Sequence, residues 1–318
     1  MPDNVDMKDL RILRELDQNP DLFLNKLAKK VQVSQQVVDY RVKNLVKRNI
    51  ISKIIPMIDL SKLGFFLYRV HIRFRTISSE RRREFEDYIF KNFKCFFIGA
   101  IGGKWDEYFD LFSENSQKFQ DDLTIINEKF SDIIQEYDIM EITKIHLFNY
   151  KYLSRFVDEK VIMGSSIREK IDETDYKILS TIKNNSRSSY LDMGFKVKLS
   201  RNAVKERIKK MSAKGIIVGN RMFLNSKAMK KESYKLLLRM KSGTEAKEKL
   251  MRFVKNTEEV IYFLELLGKY DFDLEIEVDN REKLQEFIIK LRNNFNIIDY
   301  DLMPLFYDYG SDFFPIRE

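Results

Sequence analysis

The sequence predicts an α+β fold in which one two-part unit occurs twice, and three observations predict it. Residues 9–64 and 175–230 align without a gap at an offset of 166, pairing Ser34 with Ser200, Arg41 with Arg207 and Ile50-Ile51 with Ile216-Ile217. Repetition at that length means duplicated domains, not a solenoid of short units. After each of these segments the hydrophobic period shortens from 3.6 to 2, the change expected where helices give way to strands. Charge divides along the same lines. Residues 1–60, 151–171 and 172–230 carry net +3, +2 and +9, whereas 61–150 and 231–318 carry −2 and −4, within a total of +8. A polyanion bound by selected domains is the partner such a division implies.

Taken in order, Leu24 to Val31 (LNKLAKKV) forms a short amphipathic helix with small Ala28 at its centre. Gln32 and Val33 leave only a tight turn before Ser34, whose hydroxyl can cap the next helix. In SQQVVDYRVKNLVKR, Val37, Val38, Val42 and Leu45 recur at spacings of three and four and are expected inward. Gln35, Gln36, Asp39, Tyr40, Lys43 and Lys47 then point outward. Helix, short turn and capped helix with a polar face is the helix-turn-helix pattern, and ISKIIPMI after it can form a wing. The second copy runs SRNAVKERIKKMSAKG, with Ala203, Val204, Ile208 and Met211 inward and Arg201, Asn202, Lys205, Glu206 and Lys209 outward. Gly194 replaces Ala28 there, and Asn185 matches Asn19 at the end of the first helix.

Beyond each wing, Phe66 to Arg75 and Tyr234 to Met240 alternate as strands. Each is followed by a charged helix (SSERRREFEDYIFKNF; TEAKEKLMRFVKN), an apolar strand (CFFIGAIG; VIYFLELLG) and a further strand (EYFDLF; FDLEIEV). Another helix and a final strand complete the order βαββαβ. The predicted fold class is therefore α+β, two winged helix-turn-helix domains alternating with two ferredoxin-like (βαββαβ) domains. Their bounds are 1–64 and 172–230 for the first kind, 65–150 and 231–318 for the second. A connector, 151–171, keeps Tyr152, Phe156, Val161 and Ile162 and is expected to pack.

Composition sets the remaining limits. With 44% hydrophobic and 33% charged residues the chain has the makeup of a folded protein. No apolar run approaches the ~20 residues needed to span a bilayer, and MPDNVDMKDL lacks the apolar core of a signal peptide. A single cysteine, Cys95, excludes an intramolecular disulfide framework. The cytoplasm is the expected compartment, with no membrane partner.

LNKLAKKVQVSQQVVDYRVKNLVKRNII and, more loosely, SRNAVKERIKKMSAKGII resemble the helix-turn-helix of the Lrp/AsnC transcription regulators. The turns GGKWDEYFDLF and GKYDFDLEI are similar to that family's glycine-x-x-aspartate loop. The resemblance covers almost the whole chain, twice. It implies double-stranded DNA as partner, and a ferredoxin-like module that pairs and often assembles further. Most members are single-copy chains of about half this length, so the tandem chain is expected to be its own pseudo-dimer. The DNA-facing set is then Ser34, Gln35, Gln36, Asp39, Tyr40, Arg41, Lys43 and Lys47, with Ser200, Arg201, Asn202, Lys205, Glu206, Arg207 and Lys209. For any one of them, solvation of the helix is the plain alternative. Arg41 and Arg207 have two roles open, a phosphate or an intradomain carboxylate. Gly103, Asp106, Gly268 and Asp271 fall at the loop beside which some family members bind amino acids; capping of the turn is the alternative for both aspartates.

An enzyme needs a constellation, and few ingredients are present. Neither a phosphate-binding glycine loop nor His/Cys spacing suited to zinc occurs, so no metal or cofactor is expected. His71 and His146 have no counterparts in the second copy. The sirohaem decarboxylases share this architecture and are the alternative reading, but their histidine motifs are not found here.

Overall fold

A computed structural model describes residues 5–154, 156–183, 189–241 and 243–316. The first reader is α1 (Met7–Gln18), α2 (Leu24–Val31) and α3 (Gln35–Lys47), followed by β1 (Ile51–Ile58). Its module is β2 (Phe66–Phe74), α4 (Ser79–Asn92), β3 (Cys95–Ile101), β4 (Glu107–Ser113), α5 (Ser116–Lys129) and β5 (Ile134–Phe148). The connector contributes β6 (Glu159–Ile162), which pairs with β5, so it packs as expected. The second reader is α6 (Glu173–Ile182), α7 (Tyr190–Val197) and α8 (Arg201–Ala213), with β7 (Ile217–Leu224) after it. Then come β8 (Glu232–Met240), α9 (Thr244–Lys255), β9 (Val260–Leu267), β10 (Phe272–Val278), α10 (Arg281–Asn294) and β11 (Ile297–Ser311). Asn185 lies outside the described residues.

Both readers are built by the same local rules. Ser34 and Ser200 stand at φ −67°, ψ 154°, and their hydroxyls accept from Val37 N and Ala203 N. That satisfies a donor the first helical turn leaves unpaired. The tight turn before each cap uses a left-handed residue, Gln32 at φ 58° and Lys198 at φ 55°. At Gly194 a Cβ would stand 2.5 Å from the Leu199 carbonyl oxygen, so this copy requires glycine where the first tolerates Ala28.

The two wings pair with each other. β1 does not fold back as a hairpin on its own domain; it pairs antiparallel with β7, Ile54 opposite Met222. Each reader's core is thereby completed by the other copy. Met222 and Leu224 pack among Leu13, Leu27 and Leu45, while Ile55 and Met57 pack among Ile178, Val204 and Met211. An eight-residue strand with apolar side chains on both faces, such as ISKIIPMI, cannot bury both against one three-helix domain.

Each module has the strand order of a ferredoxin-like sheet, β5-β2-β4-β3 and β11-β8-β10-β9. The two sheets then join edge to edge, β3 to β11 and β9 to β5, which closes the eight strands into a barrel with β6 attached outside the ring. Closure removes the exposed edges that either sheet alone would present. The helices cover the outside: Phe85, Ile89, Phe119 and Leu123 pack on one sheet, Leu250, Val254, Phe287 and Leu291 on the other. At one end of the interior Trp105 and Tyr270, from equivalent loops, pack with Met140 and Met303.

The interior also holds charge. The Arg69 guanidinium makes two 2.7 Å bonds to Asp110 on its own sheet and also donates to Asp273 across the barrel. Lys235, at the position equivalent to Arg69, lies 3.2 Å from Glu275 and 3.4 Å from Asp273. The carboxylates that Arg69 meets thus come from both modules, Asp110 from its own and Asp273 from the other. His71 is fully buried beside Trp105, and burial with the neighbouring cations Arg69 and Lys235 holds it neutral, far below its ordinary value. Cys95 is buried and its thiol is pushed up by burial, as expected of a small hydrophobe.

Several carboxyls are desolvated. Burial raises Asp17 to about 6 and Glu277 to about 7. Unfolded, these groups ionise near pH ~4. Between there and their native values the folded chain keeps protons the unfolded chain has shed, so stability falls as pH rises through that window. The guanidinium unfolding midpoint is accordingly expected to drop between about pH 5 and about pH 7, and the drop to shrink in Glu277→Gln.

Candidate nucleic-acid interface

The face of α3 predicted to point outward does so. Gln35, Gln36 and Lys43 are exposed and Tyr40 is 70% exposed, while Val38, Val42 and Leu45 are buried. Val37 departs from expectation: it is exposed, because a 13-residue helix packed on one side buries only a narrow stripe and Val38 occupies it. Asp39 is half-buried and accepts from Lys43 at 2.7 Å, a pair one turn apart on the helix surface. On α8, Arg201, Asn202, Lys205, Glu206 and Lys209 are all exposed, and Val204 and Met211 are buried. Ala203 and Ile208 are half-buried. Lys47, in the last turn of α3, is exposed.

Of the two roles open to Arg41 and Arg207, the structure shows the carboxylate. Arg41 Nη1 donates to Asp6 at 2.8 Å and to Asp9 at 2.7 Å; Arg207 Nη1 donates to Asp172 at 2.7 Å and Asp175 at 2.8 Å. Each acid belongs to the cap or first turn of the opening helix, and hydrogen bonds from backbone and arginine hold Asp6 and Asp172 below the usual carboxylate range. These arginines therefore tie the first helix to the third in both readers rather than standing free for phosphate.

The glycine loops show a matching economy. Asp106 Oδ2 accepts from Phe74 N and Asp271 Oδ2 from Met240 N, both at 2.8 Å, so each carboxylate ties the loop to the end of the module's first strand. Gly103 stands at φ +99° and Gly268 at φ +155°. A Cβ on Gly268 would lie 2.7 Å from Met140 of the other module, so this loop needs glycine to reach the seam. An open groove beside it is lined by Arg239, Lys241, Gly268, Lys269 and Asp271. His146 lies on the outside of the barrel, its Nδ1 2.7 Å from Glu159 and its Nε2 3.0 Å from Glu265, an interface role.

Sequence reasoning missed the wing ribbon and the charged barrel interior. One signal was present for the second: Arg69 and Lys235 occupy the same position of the repeat, and a cation recurring within an apolar strand invites a buried partner.

Known proteins agree with this organisation. The model of a winged helix-turn-helix DNA-binding family matches residues 6–52 and 171–218. The chain is 29% identical over 101 residues to the HTH-type transcriptional regulator Ptr1 of Methanocaldococcus jannaschii, covering 32% of this chain and 68% of that protein. It is 24% identical over 129 residues to the HTH-type transcriptional regulator Rv2324 of Mycobacterium tuberculosis, covering 41% and 87%. In fold, it is similar over 95% of its length to the siroheme decarboxylase NirDL, of which it covers 92%, with a TM-score of 0.66 and 12% identity. Among the described residues no helix is long and apolar enough to cross a membrane. The winged helix-turn-helix DNA-binding model thus falls on both three-helix domains, each followed by a ferredoxin-like module, in a chain similar in sequence to HTH-type transcriptional regulators.

Proposed function

We propose that the chain reads one asymmetric site on double-stranded DNA with two unlike helices, held apart by a pseudo-dimer made within a single polypeptide. The observation that carries this is the exposure of different polar faces at equivalent positions: Gln35, Gln36 and Tyr40 in one reader, Arg201, Asn202 and Glu206 in the other. Gln and Asn can bond adenine at two points, and Arg can do so with guanine. Half-sites about one helical turn (~34 Å) or a multiple apart are expected. Selection of bound fragments by the purified protein, followed by footprinting, tests this; recovery of a palindrome with identical half-sites would count against it. The cytoplasm is the compartment that suits this work, and assembly beyond the pseudo-dimer follows the family habit.

An effector reading accompanies it: a small amino acid at the groove beside Gly268 and Asp271, with the equivalent Gly103 and Asp106 in the first module. Asp271→Ala alone is expected to lower stability by about 1–3 kcal/mol, since Met240 N loses its acceptor. It is also expected to abolish any rise in melting temperature that a screen of amino acids produces. A screen without a rise removes the effector and leaves DNA reading standing.

The second reading is catalytic, and the whole-chain fold likeness to a siroheme decarboxylase favours it. The histidines lend it little support. His71 lies inside the barrel, while Ile145 and Leu147 turn inward and place His146 outside. An absorbance scan after mixing with sirohaem decides the matter, an unchanged spectrum disposing of the enzyme.

A further inference from the structure

The two readers differ in more than charge. At three equivalent positions the first exposes an apolar side chain where the second has a small or polar one. Phe23, 74% exposed, stands against Ser189; Val37, 38% exposed, against Ala203; and Tyr40, 70% exposed, against Glu206. The first of these exchanges gives up a helix cap. Phe23 holds the N-cap of α2 and makes no side-chain hydrogen bond there, whereas Ser189 caps α7 by accepting from Asp192 N at 3.1 Å. The Phe23 ring instead shares an open groove with Leu24, Asn25, Lys26 and Gln35, at the start of α3.

Val37 and Tyr40 stand three residues apart and are therefore neighbours on the surface of α3. Their position along the helix is fixed, because the Ser34 hydroxyl accepts from Val37 N and starts the first turn there. Between Gln35 and Tyr40 the sequence has no cation, and its one acid, Asp39, is paired with Lys43. This stretch therefore offers amides and hydrocarbon to whatever it meets. Solvation of the helix accounts for a glutamine or a lysine on such a face. It does not account for an isopropyl group, which also lowers helix propensity. In the major groove the apolar group that a base edge displays is the thymine 5-methyl, and apolar side chains are what contact it.

We propose that Val37 and Tyr40 read thymine 5-methyl groups, so that the half-site under α3 is specified in part by methyls and the half-site under α8 is not. This rests on the DNA reading proposed above and names the chemistry by which one of its two helices discriminates. A duplex selected by the purified full chain from random-sequence DNA tests it, remade with uracil for thymine in one half-site at a time. Uracil pairs as thymine does and lacks only the methyl. In one half-site uracil is expected to weaken binding about fourfold for each contacted methyl lost, and in the other by less than about twofold. The loss should be the same at every salt concentration, since no charge is removed. Val37→Ser with Tyr40→Ser is expected to bind the thymine duplex more weakly and to erase the difference between thymine and uracil, its melting temperature unchanged. If that variant keeps the full uracil penalty, if the two half-sites show equal penalties, or if neither responds, the assignment fails while DNA reading stands. If the variant melts lower, Val37→Ser alone replaces it, and an undiminished penalty there overturns the assignment. A chain that selects no duplex overturns this proposal and the DNA reading together.

Discussion

Arg69→Ala is expected to destabilise the fold by about 3–5 kcal/mol, the cost of breaking a buried ion pair by removing one partner. Arg69 is 2% exposed and holds Asp110 and Asp273, carboxylates of two different modules. Without it, Asp110, Asp273 and Glu275 face Lys235 alone, and an interior with three acids and two cations becomes one with three acids and one. Desolvated like charges repel strongly there. A control separates charge imbalance from lost packing. Arg69→Met with Asp110→Leu restores the original imbalance, leaving Lys235 with Asp273 and Glu275, and is expected to recover most of the loss, because apolar replacement of a buried pair is often close to neutral. Guanidinium unfolding of the three proteins measures both effects. A loss below about 1 kcal/mol for Arg69→Ala would show that the interior is well hydrated and that the barrel does not depend on this link.

That cluster also marks where the sequence stops being legible. The reader helices could be found because the signals are local: a cap at Ser34 or Ser200, a tight turn before it, and an apolar stripe at helical spacing. The strand order of each module was legible for the same reason. What lies opposite the second face of each sheet was not, since a period of two shows that a strand has two faces without saying which one water touches. Arg69, His71 and Arg73 alternate along β2 as a solvent-facing row would, yet Arg69 and His71 are buried and only Arg73 is exposed. Barrel closure decides this, and closure depends on edges far apart in the chain, as in the pairings of Ile101 with Leu305 and Glu141 with Leu267. The partner of each wing was illegible on the same ground. Ile51–Ile58 reads as a strand, but its partner in Ile217–Leu224 belongs to the other copy. Val37 failed differently: helical spacing placed it within reach of the buried stripe, and the neighbouring Val38 filled the available contact.

The charge asymmetry between the readers has the other large consequence. Residues 172–230 carry net +9 against +3 for residues 1–60, and Arg201, Lys205 and Lys209 stand exposed on α8. Arg201→Ala with Lys205→Ala and Lys209→Ala is expected to weaken DNA binding on the order of 10²-fold at ~0.1 M salt, if each cation displaces one condensed counterion. The slope of log affinity against log salt should become shallower by about 2.7, three contacts at ~0.9 each. Gln35→Ala with Gln36→Ala is expected to behave otherwise. Neither side chain is charged, so the slope should stay fixed while discrimination at one half-site relaxes by about 1–3 kcal/mol per lost base contact. Fluorescence anisotropy with one labelled duplex at several salt concentrations distinguishes the two patterns. An unchanged slope in the triple variant would remove α8 from the DNA and leave α3 as the reader in contact. Equal slope changes from both sets would mean that the glutamines act by positioning the neighbouring phosphate contacts and not by reading bases. The two outcomes are separable because Arg207, which links α8 to α6 through Asp172 and Asp175, is untouched, so the helix keeps its seat while its outer face loses charge.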